Sequence, residues 1–108
     1  MKGDLRRMWV IVFFDLPVTQ KPQRTAATRF RNDLLNDGYL MLQFSVYARM
    51  CRAQEAVDKH IRRIQGMCPK EGSIRALQVT DKQYARMKIL LGNRVPEESL
   101  NGQQLLFF

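Results

Sequence analysis

The chain has 108 residues, with 18 Lys and Arg against 10 Asp and Glu, a formal charge of +8 and a sequence pI near 10.1. That length suits one domain burying roughly 65% of the unfolded chain's surface, and a composition 45% hydrophobic and 26% charged is globular, not disordered. No apolar run nears the roughly 20 residues of a membrane span and none makes a signal-peptide core, so a cytoplasmic protein is expected; the basic excess favours a polyanionic partner, nucleic acid before membrane.

Met1 to Arg7 is a short lead with Lys2, Arg6 and Arg7 as its basic residues. Met8 to Phe14, MWVIVFF, is apolar without a break or alternation. It reads as a central strand covered on both faces. The run stops at Asp15, and Leu16-Pro17 leaves the sheet, because proline cannot donate to a ladder and biases its predecessor away from helix. An acid at the carboxyl end of a buried strand stands where open sheets place chemistry; an aspartate that caps its own turn is the alternative.

A helix is expected from about Lys21 to Asp37, with Thr19 as its cap and Pro22 in its first turn. Ala26, Ala27, Phe30, Leu34 and Leu35 recur at helical spacing and define its buried stripe. Lys21, Arg24 and Arg31 lie outside that stripe, Arg29 lies on its flank, and Gly38 is the stop signal. Tyr39 to Met50, YLMLQFSVYARM, is β-prone but longer than one strand, so a break is expected near Gln43 to Ser45. Ala53 to about Met67 is a second amphipathic helix, with Ala53, Ala56, Val57, Ile61 and Ile64 inward and Lys59, Arg62 and Arg63 outward. His60 borders the apolar stripe as a packed residue. Gly66, Pro69 and Gly72 punctuate a turn before the strand Ser73 to Thr80. Asp81 opens a short helical turn through Tyr84 to Met87, and Lys88 to Leu91 is expected as a short β or packed segment. Asn93 to Gly102 is a polar linker, and the apolar end QQLLFF needs a sheet edge or groove to cover it. A ferredoxin-like domain over residues 1–92, with residues 93–108 as linker and a C-terminal strand that completes the sheet or crosses to the partner's, is the expected organisation.

Cys51 and Cys68 form no CxxC pair and, with His60 alone, no credible zinc site; small buried thiols in a reducing compartment are expected. Ser45 and Tyr47 have no neighbouring base in the sequence to activate them. The order strand, helix, strand, strand, helix, strand implies an α+β ferredoxin-like sandwich with both helices on one face of an antiparallel sheet. An apolar first strand would leave the other face bare, so a homodimer with sheet packed on sheet is expected. The aromatic RNA-recognition signature that some such sheets carry is absent.

Four segments, VIVFFDLPV, GYLMLQFSVYARMC, GSIRALQVTDKQY and the terminal QQLLFF, together resemble the CRISPR-associated protein 2 family over nearly the whole chain. Gln43, Ser45, Val46, Tyr47 and Arg49 look most like the versions that accompany type II systems. The resemblance implies a homodimer that bridges two dimers of the CRISPR-associated protein 1 integrase and holds duplex prespacer DNA for spacer acquisition. It also implies magnesium-dependent endonuclease activity on RNA or DNA, with Asp15 as the metal-binding and catalytic aspartate. One carboxylate is a poor Mg2+ site by itself, but a two-fold axis near Asp15 would supply a second. Lys21, Arg24, Arg31, Arg49 and Arg52 are the expected nucleic-acid contacts, made to phosphates without base readout. The competing expectation is a toxin-like ferredoxin-fold endoribonuclease that works without the integrase.

Overall fold

The computed structural model describes residues 7–95. Its elements are β1 (Met8–Asp15), α1 (Lys21–Asn36), β2 (Leu40–Gln43), β3 (Val46–Cys51), α2 (Gln54–Met67), β4 (Ser73–Thr80) and α3 (Asp81–Ala85). The strands form one antiparallel sheet in the order β2-β3-β1-β4. This is the ferredoxin-like α+β arrangement that the order of elements implies. β1 lies in the middle, running from Met8↔Cys51 to Phe13↔Val46 against β3, and from Met8↔Thr80 to Asp15↔Ser73 against β4.

Alternation divides β1 between two cores. Val10, Val12 and Phe14 face the long helices and are buried with Phe30 and Leu34 of α1 and Val57 and Ile64 of α2. Phe14 meets the Phe30 ring edge-on, centroids 5.0 Å apart, an arrangement that suits the aromatic quadrupoles. Trp9, Ile11 and Phe13 face the other way, and their exposure rises along the strand from 2% to 5% to 39%. The gradient has a visible cause. The Tyr84 ring of α3 stacks on Trp9 at 4.0 Å, while among the described residues no ring stacks on Phe13. Asp81 anchors this cover by accepting the Trp9 indole N–H at 2.8 Å and pairing with Arg7 at 3.2 Å. Thr80 caps the short helix through the Gln83 N–H at 3.0 Å. The helix face of β1 is thus fully covered, while on the other face the chain itself covers the Trp9 end and leaves Phe13 partly exposed.

Several local expectations are corrected. The α1 N-cap is Gln20, whose N–H bonds Gln23 Oε1 at 2.9 Å; Thr19 instead offers its carbonyl to Arg24 at 2.9 Å. Ala27, Phe30 and Leu34 are buried on α1, but Leu35 is exposed, because a helix on a flat sheet buries a stripe too narrow to reach it. Lys88 to Leu91 forms no strand, and Leu90 and Leu91 are almost fully exposed. Of the two thiols Cys51 is buried but Cys68 is exposed. The apolar end and its expected strand lie outside the described residues.

A polar corner closes the end of α1. Gly38, at φ +91°, lets the chain turn so that Gly38 N–H bonds Leu35 O and Tyr39 N–H bonds Leu34 O, the two bonds of a Schellman ending. A Cβ on Gly38 would stand 3.1 Å from Nε of Arg49. That guanidinium donates from Nε to Asp37 O at 2.7 Å and from Nη1 to Met50 O at 2.8 Å. The buried Asp37 carboxylate meets His60 Nδ1 at 2.8 Å and Arg63 Nε at 3.3 Å. His60 is therefore a packed residue with a polar partner on its inward side.

Candidate nucleic-acid and metal site

Asp15 ends β1 on the Trp9, Ile11 and Phe13 side of the sheet and is exposed. Two turns hold its backbone from either side. On the β3 side, the Phe14 N–H donates to Ser45 O at 3.0 Å, and Ser45 adopts φ +66°, which is uncommon for a residue other than glycine. On the β4 side, Asp15 pairs with Ser73, beside Gly72 at φ +112°. A Cβ there would lie 2.9 Å from Asp15 O and 2.6 Å from Leu16 Cδ2. Glycine is what lets the α2–β4 turn come this close to Asp15.

Among the described residues no group of three or more His, Cys, Asp and Glu side chains could hold a metal ion. Asp15 supplies one carboxylate at the end of β1. Mg2+ is commonly held by one or two carboxylates with water and phosphate oxygens completing an octahedron. Asp15 therefore fits such an ion only when a phosphate, or the same residue of a second copy, adds oxygens. Its place on the incompletely covered face of the sheet makes the second route geometrically available.

The expected basic contacts do not form a single cluster. α1 starts beside Asp15 and ends at the Arg49 corner, so Lys21 and Arg24 stand at the Asp15 end, Arg31 midway, and Arg49 and Arg52 at the far end. An eight-residue strand separates these ends by roughly 25 Å at about 3.3 Å per residue. Lys21, Arg24 and Arg52 are exposed, and Arg31 is half-buried. Arg31 lies close enough to Tyr47 for its charge to offset part of the upward push that burial gives the Tyr47 phenol. Arg24 also donates to Val18 O at 3.2 Å and Thr19 O at 2.9 Å, bracing the loop after β1. Arg49 has two donors committed to main-chain carbonyls and is first a structural residue. Lys21, Arg24, Thr25, Thr28, Arg29 and Asn32 share a shallow groove of about 590 Å3 on the outer face of α1. The neutral donors Thr25, Thr28 and Asn32 were not singled out from the sequence, although their spacing of three and four places them together.

Tyr47 is buried against Phe14, a packing role. Burial, followed by the nearby Asp37 carboxylate, pushes the Tyr39 phenol far above its usual range. Burial also raises the Cys51 thiol despite the adjacent Arg49. Neither group is presented as a nucleophile.

The family model for CRISPR associated protein Cas2 matches residues 8–87, the sheet, both long helices and α3. The chain belongs to the Cas2 family. It is 49% identical over 102 residues to a protein of Acidovorax ebreus, covering 94% of this chain and all of that one. It is 46% identical over 108 residues to one of Paracidovorax avenae, covering 99% and 100%, and 41% identical over 106 residues to one of Flavobacterium psychrophilum, covering 98% and 92%. Each of these relatives bears the name CRISPR-associated endoribonuclease Cas2. The Cas2 match runs through both turns that hold Asp15. No helix among the described residues is long and apolar enough to cross a membrane.

Proposed function

We propose that this Cas2 protein works as a homodimer joined through the bare end of its sheet, and that the dimer's basic exterior holds duplex prespacer DNA between integrase dimers. The observation that carries the reading is the pairing of two features on one face. Phe13 and Leu77, 39% and 50% exposed, leave apolar surface on the side of the sheet opposite the long helices, and Asp15 ends the same strand on the same side. A second copy seated there would shield the apolar strip and bring two Asp15 carboxylates toward one another. The cations along α1 lie on the opposite, outward side, free for phosphates spread over a long backbone.

The same dimer would suit a second activity, endonucleolytic cleavage of RNA or DNA, of which the names of the relatives favour the RNA half. Paired Asp15 residues would hold Mg2+, which when bound polarises a phosphodiester and lowers the pKa of a coordinated water. The protein's own part is to fix the carboxylates through the Ser45 and Gly72 turns and to position the backbone with Lys21 and Arg24. A toxin-like endoribonuclease acting alone shares the fold but needs no integrase.

Sedimentation of the wild type and of Leu77→Asp tests the interface, with a dimer expected for the first and a monomer for the second. Duplex affinity should fall steeply with added salt and vary little with sequence. Co-purification with the integrase separates the bridging reading from the solitary one. A wild-type monomer indifferent to duplex and integrase would end the proposal. Mg2+ titration and turnover of labelled RNA and DNA, with Asp15→Ala as comparison, test the nuclease; equal uptake and equal cleavage by both proteins would remove it.

A further inference from the structure

The face of the sheet that carries Asp15 holds one other charge. Residues paired across strands share a face, so Asp15 stands beside Ser73, Phe13 beside Arg75 and Ile11 beside Leu77. β2 and β3 turn only uncharged residues to this side. Asp15 and Arg75 are therefore the two charged side chains on this face of the described sheet. They are opposite in sign and one diagonal step apart, about 7–8 Å between Cα atoms, which a long side chain can span. Yet none of the ion pairs among the described residues joins them, and both are exposed. Single exposed arginines are ordinary on protein surfaces, so position must decide. Arg75 stands between Phe13 and Leu77, where an apolar strip has no use for a charge. Its stem can lie along that strip with the guanidinium in water, and β4, as an edge strand, leaves the way out open.

We infer that Arg75 binds the phosphodiester whose cleavage Asp15 serves, so that β1 and β4 together form one phosphate site on the open face of the sheet. The inference rests on the nuclease reading of Asp15 and adds a residue that touches the substrate. A carboxylate by itself repels a phosphate, whereas a guanidinium offers a planar fork of donors that matches two phosphate oxygens. In the hydrolysis a water oxygen bonds to phosphorus, the bond to the leaving sugar oxygen breaks, and that oxygen takes a proton from the water. Negative charge on the non-bridging oxygens is what Arg75 offsets. It passes no proton, because a guanidinium stays charged at any working pH. Lys21 and Arg24, on α1, meet flanking phosphates and cannot replace a cation on the sheet itself.

The test uses the full chain and a labelled RNA whose cleavage position the wild type defines. Arg75→Gln should lower kcat about 100- to 1,000-fold, whereas Arg62→Gln, exposed on α2, should leave it unchanged. Arg75→Lys should restore part of the rate, since it returns the charge without the fork. Binding is read without turnover in proteins that also carry Asp15→Ala. The probe is the same strand with O-methylated sugars and either a phosphate or a neutral methylphosphonate at the cleavage position. Arg75→Gln should reduce the salt slope for the phosphate strand by about one and leave that for the methylphosphonate strand unchanged, because the charge it would meet is already gone. Wild-type turnover in Arg75→Gln would overturn the inference, as would an equal change of slope on both strands. Conversion of the dimer to a monomer by Arg75→Gln would also overturn it, assigning the guanidinium to a contact between subunits. Were Arg75→Gln not to fold, Arg75→Lys would decide, with a wild-type slope and a lower rate expected and an unchanged rate overturning the inference. The nuclease reading fails on a different result, wild-type cleavage rates in Asp15→Ala with Arg75 intact.

Discussion

Replacing Gly72 with alanine tests directly how Asp15 is held. The new Cβ would meet Asp15 O at 2.9 Å and Leu16 Cδ2 at 2.6 Å. The leucine methyl can rotate away. The carbonyl belongs to the chain where β1 pairs with β4, so it can yield only by moving the backbone that carries Asp15. The residue would also have to keep φ +112°, a region in which a side chain costs on the order of 1–3 kcal/mol. Taking about 2 kcal/mol, the melting temperature should fall by roughly 8–16 °C for a domain of this size. Gly66 is the matched control. It lies within α2 with nothing within 4 Å of an added Cβ, so Gly66→Ala should raise stability by about 0.5 kcal/mol through helix propensity. Thermal melts followed by circular dichroism read both variants. If Gly72→Ala melted within a degree or two of the wild type, or if both alanines shifted the midpoint the same way, the close approach would not be holding the turn.

Asp37→Ala should cost about 1–3 kcal/mol, because it leaves the buried His60 Nδ1 without its hydrogen-bond partner at 2.8 Å; urea unfolding, with His60→Ala to close a double-mutant cycle, measures the coupling. Arg49→Lys should lower stability by about 1.5–3 kcal/mol through loss of the two bonds to Asp37 O and Met50 O, yet leave the salt slope of duplex binding unchanged. Lys21→Ala should instead leave stability alone and reduce that slope by about one. Stability should also decline in alkali. Burial, followed by the Asp37 charge, raises Tyr39 above the usual 10.0, and burial raises Cys51 above 9.0 against the lowering pull of Arg49. Below pH 9 their contribution is complete, and above it the unfolded chain ionises first and is favoured. Unfolding curves from pH 7 to 11 should show this fall, with a shallower slope in Tyr39→Phe.

The elements that repeat a simple pattern were readable in the sequence. β1 and β4 begin and end where Asp15, Ser73 and Thr80 mark them, and the hairpin break falls at Phe44 and Ser45 despite the lack of a turn dipeptide. What escaped notice depended on partners distant in sequence. Arg49 resembles any surface cation until Gly38 and the Asp37 carbonyl are brought against it. Tyr84 shows no sign in its own segment that it will lie on Trp9, 75 residues earlier. Leu35 satisfies helical spacing yet misses the sheet, since periodicity reports a face and not how wide the opposing surface is. Asp15 stood out in the sequence as the acid that stops an apolar run; the turns that hold it depend on backbone angles at Ser45 and Gly72 that composition does not disclose.

The central position of β1 also has a consequence for synthesis. Both of its neighbours come later, and its last partner, Thr80 opposite Met8, leaves the ribosome about 70 residues after it. At roughly 5–20 residues per second that is a delay of about 4–14 s, during which MWVIVFF has at most β3 beside it and one edge stays open. Long-range pairing of this kind slows folding and exposes adhesive segments. The nascent chain is thus most vulnerable to aggregation before β4 emerges, and a truncation that removes β4 should be insoluble even though every residue of the first strand remains.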